Sequence, residues 1–296
     1  MSEEIIGRRF QLSSFQIIIL GFAGVILLGA LLLMLPISTQ EGCTTPFNEA
    51  LFTATSAVCV TGLVIHDTGS YWSAFGQTII LTLIQIGGLG VVTVAASFAL
   101  LSRRRISLMQ RTTMQDAISA PNVGGIVRLT KFILWGTFLI ELIGALVMLP
   151  VFCRDYGWHG IWLAAFHSIS AFCNAGFDIL GTAENLYPSL TGYAQNPIIN
   201  ITIMLLIIIG GIGFLTWEDI YENKLQFRRY RMQSKVILIF TLILIILPAI
   251  FFFFADFAAL PIEARLQAAL FQSVTTRTAG FNTINLSAMS SSSQGI

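Results

Sequence analysis

The sequence is poor in charge. Only 10% of its 296 residues are Asp, Glu, Lys or Arg, against roughly 25% in soluble domains. Apolar residues make up 55% and the mean hydropathy is +0.80. That is more apolar length than one soluble core could hide, so the chain reads as a membrane protein. The net charge of +1 singles out no partner, and nothing points to nucleic acid. The signatures of catalysis are also missing. There is no phosphate-cradling G-x-x-x-x-G-K-[ST], no nucleophile–base constellation and no metal motif. The three histidines, His66, His159 and His167, are scattered. An enzyme is not expected.

Cysteine is scarce, and the four present (Cys43, Cys59, Cys153 and Cys173) form no C-x-x-C. Cys43 and Cys153 could lie on one side of a membrane, but nothing else suggests a stapled ectodomain. A cleavable leader is also not expected. The first apolar span, 12–35, is longer than the ~7–15 residues of a signal-peptide core, and no A-x-A-like site follows.

What the sequence does contain is a pattern repeated three times. Residues 52–63 read FTATSAVCVTGL, 166–177 read FHSISAFCNAGF, and 271–281 read FQSVTTRTAGF. Each opens on Phe, passes through small hydroxylated residues and ends in Gly before a bulky apolar residue. Phe52 to Gly62 and Phe166 to Gly176 have the same spacing, and Phe271 to Gly280 is one residue shorter.

The repeats sit in a regular frame. Long apolar spans fall at 12–35, 73–101, 130–152, 196–217 and 234–256, and each meets the ~20 residues needed to cross a bilayer. Shorter apolar segments at 46–57, 159–171 and 262–274 have the ~10–14 residues of a half-spanning helix. The unit is long helix, short helix, Gly-ended loop, long helix. The second long helices also match, as IQIGGLGVVT at 84–93 and IIIGGIGFLT at 207–216. Gly87, Gly88, Gly210 and Gly211 permit either close helix packing or a local hinge.

Charge suggests an orientation. Thirteen of the sixteen basic residues lie before the first span or in 102–131 and 218–235. By the positive-inside rule those segments and the N-terminus are cytoplasmic, and the motif loops open outward. Residues 102–129 could form an interfacial helix and a turn, or a plain loop facing lipid headgroups. Either basic connector could dock a soluble partner.

A short helix aiming its C-terminus into the membrane favours a cation there. The non-helical loop beyond it must be buried or line a watery cavity. Backbone carbonyls can replace an ion's water shell, and Gly62, Gly176 and Gly280 permit the backbone angles this requires. The residues before them (Val60, Thr61, Asn174, Ala175, Thr278 and Ala279) would not block a lumen. Cys59 and Cys173, three residues before their glycines, read as packing support. Glu141 is the clearest carboxylate within a span. His167, in a short helix, reads as a satisfied polar residue rather than a ligand.

The motifs SAVCVTGL, SAFCNAGFD and SVTTRTAGFNT, with the paired IGG[IL]G helices, resemble the Ktr/Trk/HKT potassium-uptake family and most closely its KtrB-type membrane subunits. The resemblance covers essentially the whole chain. It implies an all-α, potassium-channel-like fold of four M1–pore helix–M2 repeats within one chain. The first repeat would be 1–101, the second 130–217 and a partial third 234–296. The fourth, with the rest of the third, is absent from this sequence. It implies a potassium filter at Gly62, Gly176 and Gly280, homodimers in the bacterial plasma membrane, and regulation by a cytosolic nucleotide-binding ring of KtrA or TrkA type. The transported ion would be potassium, with no cofactor, and sodium coupling or allosteric sodium binding is left open. Arg277 resembles the family's third-repeat arginine. It is expected to point behind the filter and brace it. A sodium-coupled secondary transporter or a non-conducting subunit are the alternatives.

Overall fold

A computed structural model describes residues 13–91, 93–94, 112–116, 125–224, 226–257, 260–284 and 289. Among these described residues, three helices are long and apolar enough to cross a membrane. They are α1 (Ser14–Leu33), α4 (Ile126–Tyr156) and α8 (Met232–Ala255). Each is followed by a shorter helix packed against it: α2 (Phe47–Val58), α5 (His159–Phe172) and α9 (Ile262–Thr278). The order is completed by α3 (Ala74–Leu89), α6 (Pro197–Gly211) and α7 (Phe214–Asn223).

Local signals account for the helix starts. Ser13 and Gln16 form a capping box on α1. Ser73 caps α3 through the Gly76 amide. Asn196 caps α6 through Ile198 and Ile199, with Pro197 at the first helical position. Pro46 and Pro261 stand at the N-caps of α2 and α9.

The burial pattern suits a bilayer. The long helices turn large apolar side chains outward, including Phe15 (71% exposed), Trp135 (78%) and Phe254 (69%). Water would not tolerate so continuous an apolar exterior, whereas lipid tails would cover it. The buried centre is built from the short helices and their partners. Ala50, Ala54, Ala57, Leu163, Ala164, Phe166, Phe271 and Val274 meet Ile80, Ile84, Ile203 and Ile207 there. α3 packs on α1, α2 and α5, and α6 packs on α4, α5 and α9.

The span expected at 196–217 is not one helix. α6 ends at Gly211 and α7 leaves it at 95°. The cause is Gly213, whose φ of +82° cannot continue a helix. α3 ends the same way, at Gly90 with φ +82°. These are the third glycines of the two IGG[IL]G motifs, so the break falls there, while Gly87, Gly88, Gly210 and Gly211 stay helical. Asp219 of α7 fastens the next long helix by accepting from the Arg231 amide (3.0 Å) and the Ser234 hydroxyl (2.5 Å). Most of the expected 102–129 connector, the end of the 73–101 span and most of 285–296 lie outside the described residues.

Candidate functional site

The three Gly-ended loops begin where the short helices stop, and two stop identically. α2 is capped by Cys59, after which Val60 turns left-handed with φ 57°. The Val60 amide bonds the Ala57 carbonyl (3.3 Å) and the Thr61 amide bonds Ser56 (2.9 Å). α5 is capped by Cys173, Asn174 takes φ 57°, and its amides bond Ala171 (3.0 Å) and, from Ala175, Ser170 (2.8 Å). Both are Schellman closures. Asn tolerates the left-handed position well, whereas a β-branched Val there is a strained outlier. Two residues on, Gly62 and Gly176 are again left-handed, with φ 75° and 70°.

The third loop is shorter, as its spacing requires. α9 continues through Thr278, and the Ala279 and Gly280 amides share the Thr275 carbonyl at 2.9 and 3.2 Å. Gly280 still reaches φ 86°. Thr278, expected in the loop, lies in the last helical turn.

The loops interlock in sequence order. A Cβ on Gly62 would collide with the Ala175 carbonyl, and one on Gly176 with the Ala279 carbonyl. Among the described residues, a Cβ on Gly280 would meet nothing within 4 Å. Thr278 donates to the Asn174 side chain at 2.7 Å, tying the third loop to the second.

The glycine pairs of α3 and α6 let these helices back directly onto the loops. A Cβ on Gly87 would strike the Val58 carbonyl, and one on Gly210 the Phe172 carbonyl. One on Gly88 would lie 2.5 Å from Cys173 Sγ, and one on Gly211 3.2 Å from Arg277 Nη2. Of the two uses open to these four glycines, close packing is the one the geometry displays. Arg277 donates from Nη2 to the Gly211 carbonyl at 3.2 Å, behind the third loop.

The hydroxyl positions serve the loops in a way sequence reasoning missed. Ser170 donates to the Phe177 carbonyl (2.7 Å) and Thr275 to the Phe281 carbonyl (2.8 Å). In the first copy Ser56 pairs with the Thr61 hydroxyl at 2.8 Å. The signal was present as a hydroxyl at one register in all three motifs.

Behind the second loop, Glu141 is 4% exposed. It accepts from Gln85 Nε2 at 3.2 Å, and Gln85 Oε1 lies 3.9 Å from Cys173 Sγ. His167 is fully buried and donates from Nδ1 to the Leu163 carbonyl one turn back, at 2.8 Å. Two residues beyond Gly176, Asp178 is pushed up to about 6 by burial, with the nearby Asp67 charge adding to it. The Leu180 amide, bonded to Asp178 Oδ1 at 3.2 Å, opposes that shift. All four cysteines are free. Among the described residues no three His, Cys, Asp or Glu side chains could together hold a metal ion.

Residues 11–296 match the sequence profile of TrkH, a family described as cation transport protein. The potassium/sodium uptake protein NtpJ of Enterococcus hirae is 39% identical over 288 residues, covering 95% of this chain and 62% of that protein. Ktr system potassium uptake protein B of Bacillus subtilis is 40% identical, covering 93% and 61%. Its namesake in Vibrio alginolyticus is 34% identical, covering 92% and 60%. The chain thus spans about six-tenths of the length of these curated relatives.

Proposed function

The chain belongs to the TrkH family of cation transport proteins, and from that premise we propose that it carries three filter segments of a potassium-uptake pore in the plasma membrane. The family is one of transporters, not enzymes. In this reading α1, α4 and α8 are the first helices of three repeats. α2, α5 and α9 are their pore helices, and α3 and α6 are the second helices of the first two.

One observation carries the reading. Three left-handed glycines follow the ends of the three shorter helices, and each of the first two abuts the carbonyl preceding the next. Such an arrangement is the start of a ring. The open side of Gly280 is where a further segment would stand to close it. The helices aim their partial negative ends at the ring. Carbonyls preorganised there replace an ion's water without reorganisation, and a ring of fixed size and dipole number favours potassium over sodium. Val60, Thr61, Gly62, Asn174, Ala175, Gly176, Thr278, Ala279 and Gly280 form this ion path. Cys59, Cys173 and Arg277 support it from behind.

The basic segments 102–131 and 218–235 support a cytoplasmic N-terminus. A cytosolic nucleotide-binding ring is the fitting regulator on that side, and the subunit pairs as a homodimer. The names of the Bacillus subtilis and Vibrio alginolyticus relatives, as parts of a Ktr system, support a partner. The name of NtpJ keeps sodium in view as a second ion. The test is ion flux into vesicles holding the complete transporter of which this sequence is part. Potassium uptake that resists excess sodium is expected. Uptake of both ions without preference would overturn the filter, and strict dependence of potassium uptake on sodium would favour the coupled transporter.

A further inference from the structure

Beyond the three glycine segments, the chain does not simply run to the next helix. The connection after the second loop, residues 178–196, reaches to both of its neighbours. Towards the first it is held by Asp67, five residues beyond Gly62 and only 5% exposed. Asp67 Oδ1 accepts from the Ser70 amide (2.8 Å) and the Ser70 hydroxyl (2.9 Å), which fixes the carboxylate on its own loop. Its Oδ2 accepts from the Tyr187 amide at 2.8 Å, 120 residues away in the chain. Tyr187 answers by donating its hydroxyl to the Ile65 carbonyl at 2.9 Å. Around this contact the two loops touch backbone to backbone. A Cβ on Gly69 would stand 2.7 Å from the Gly181 amide nitrogen, and a Cβ on Gly181 would strike the Asp67 carboxylate. Towards the third loop, the Leu190 amide bonds the Asn282 carbonyl (2.8 Å) and the Asn282 amide bonds Ser189 Oγ (2.9 Å).

Tyr187 and Ser189 pay for this with left-handed backbone, φ 54° and 47°. Non-glycine residues keep such angles only where their surroundings over-determine them. Two strained residues within three, each beside an inter-loop bond, mark a clasp rather than a passive linker.

We propose that Asp67 is a positioning residue for ion selection, locking the first and second filter segments at a fixed separation from outside the ion path. The proposal rests on the potassium-pore reading above. A carbonyl ring discriminates between ions only as well as its segments hold their spacing. Among the described residues, the interlock of Gly62 with the Ala175 carbonyl is a contact without hydrogen bonds of its own. Asp67 supplies the directional, charge-assisted bond that holds it.

The fit is tight enough to be tested at two residues. Asp67→Ala removes the clasp from one side. Gly181→Ala removes it from the other by displacing the carboxylate, and Gly181 has an ordinary backbone angle, so strain of its own does not intrude. Asp67→Asn offers one acceptor oxygen to donors that now occupy two, and should fall between wild type and Asp67→Ala. Two quantities are read on the complete transporter, normalised to its abundance in the membrane. One is hydrogen exchange at the Tyr187 amide, and the other is potassium-over-sodium preference in competitive uptake.

The expected result is exchange at Tyr187 faster by roughly tenfold, the scale of one hydrogen bond to a charged group. Potassium preference should fall by a similar factor in both Ala variants. The double variant should be no worse than either alone, because both break one contact. Unchanged exchange in Asp67→Ala would overturn the clasp whatever the transport data. Faster exchange with intact preference would overturn its positioning role. A wild-type protein without potassium preference would instead sink the pore reading, with the exchange data still deciding whether the clasp exists.

Discussion

The Ser170 hydroxyl donates to the Phe177 carbonyl at 2.7 Å, so the second short helix holds the chain on the far side of its own glycine. Thr275 and Phe281 repeat the relationship at 2.8 Å. Both hydroxyl-bearing residues are buried, so the bond is shielded from water. Ser170→Ala and Thr275→Val should each cost about 1 kcal/mol of stability. They should also lower potassium preference without removing any atom from the ion path. Melting of the purified protein, with paired uptake assays, checks this.

The glycines of α3 and α6 should be intolerant for steric reasons alone. Gly210→Ala and Gly87→Ala would drive a Cβ into a main-chain carbonyl of the neighbouring short helix. Overpacking of this kind costs roughly 1–3 kcal/mol. Gly192→Ala, which meets open space, should be close to neutral. Membrane abundance and melting temperature of the three variants would separate them.

Val60 holds the left-handed angle that Asn174 holds in the second copy, an angle that Gly and Asn adopt with little strain. Val60→Gly should therefore raise stability by about 1 kcal/mol. Val60→Asn should gain as well. A fall in melting temperature for both would mean that the Val side chain is needed more than its backbone angle is resisted.

Asp178 should make uptake sensitive to pH. It is charged above about 6 and neutral below. Attraction of potassium to the filter entrance should therefore weaken as pH falls through 6, by roughly a factor of a few at low potassium. Stability should move the other way. An unfolded Asp titrates near ~3.9, so the buried charge is destabilising above 6, and that cost fades between 6 and 4. Asp178→Asn is the control. It should flatten the uptake profile across pH 6.

Much of this site was legible because it is local. Helix ends, glycine angles and hydroxyl registers are set within about ten residues, and three copies let each motif check the others. Arg277, expected behind the filter, donates to the Gly211 carbonyl at 3.2 Å. The bend at Gly213 was missed because hydropathy runs unbroken from 196 to 217, and apolar length alone cannot distinguish one span from a span and an elbow. The third glycine of each IGG[IL]G motif was the available clue. The Asp67–Tyr187 bond was not legible at all. It joins residues 120 positions apart, and an Asp in a polar loop reads as solvated until its partner is seen.

The central claim is that the left-handed glycines build an ion filter, and Gly62→Ser tests it most directly. Gly62 has φ 75° and no room for a Cβ beside the Ala175 carbonyl. The measurement is the ratio of potassium to sodium uptake by the complete transporter with and without this substitution, at equal membrane abundance. A marked fall in the ratio with uptake retained is the expected result. An unchanged ratio would contradict the assignment of this loop to the filter.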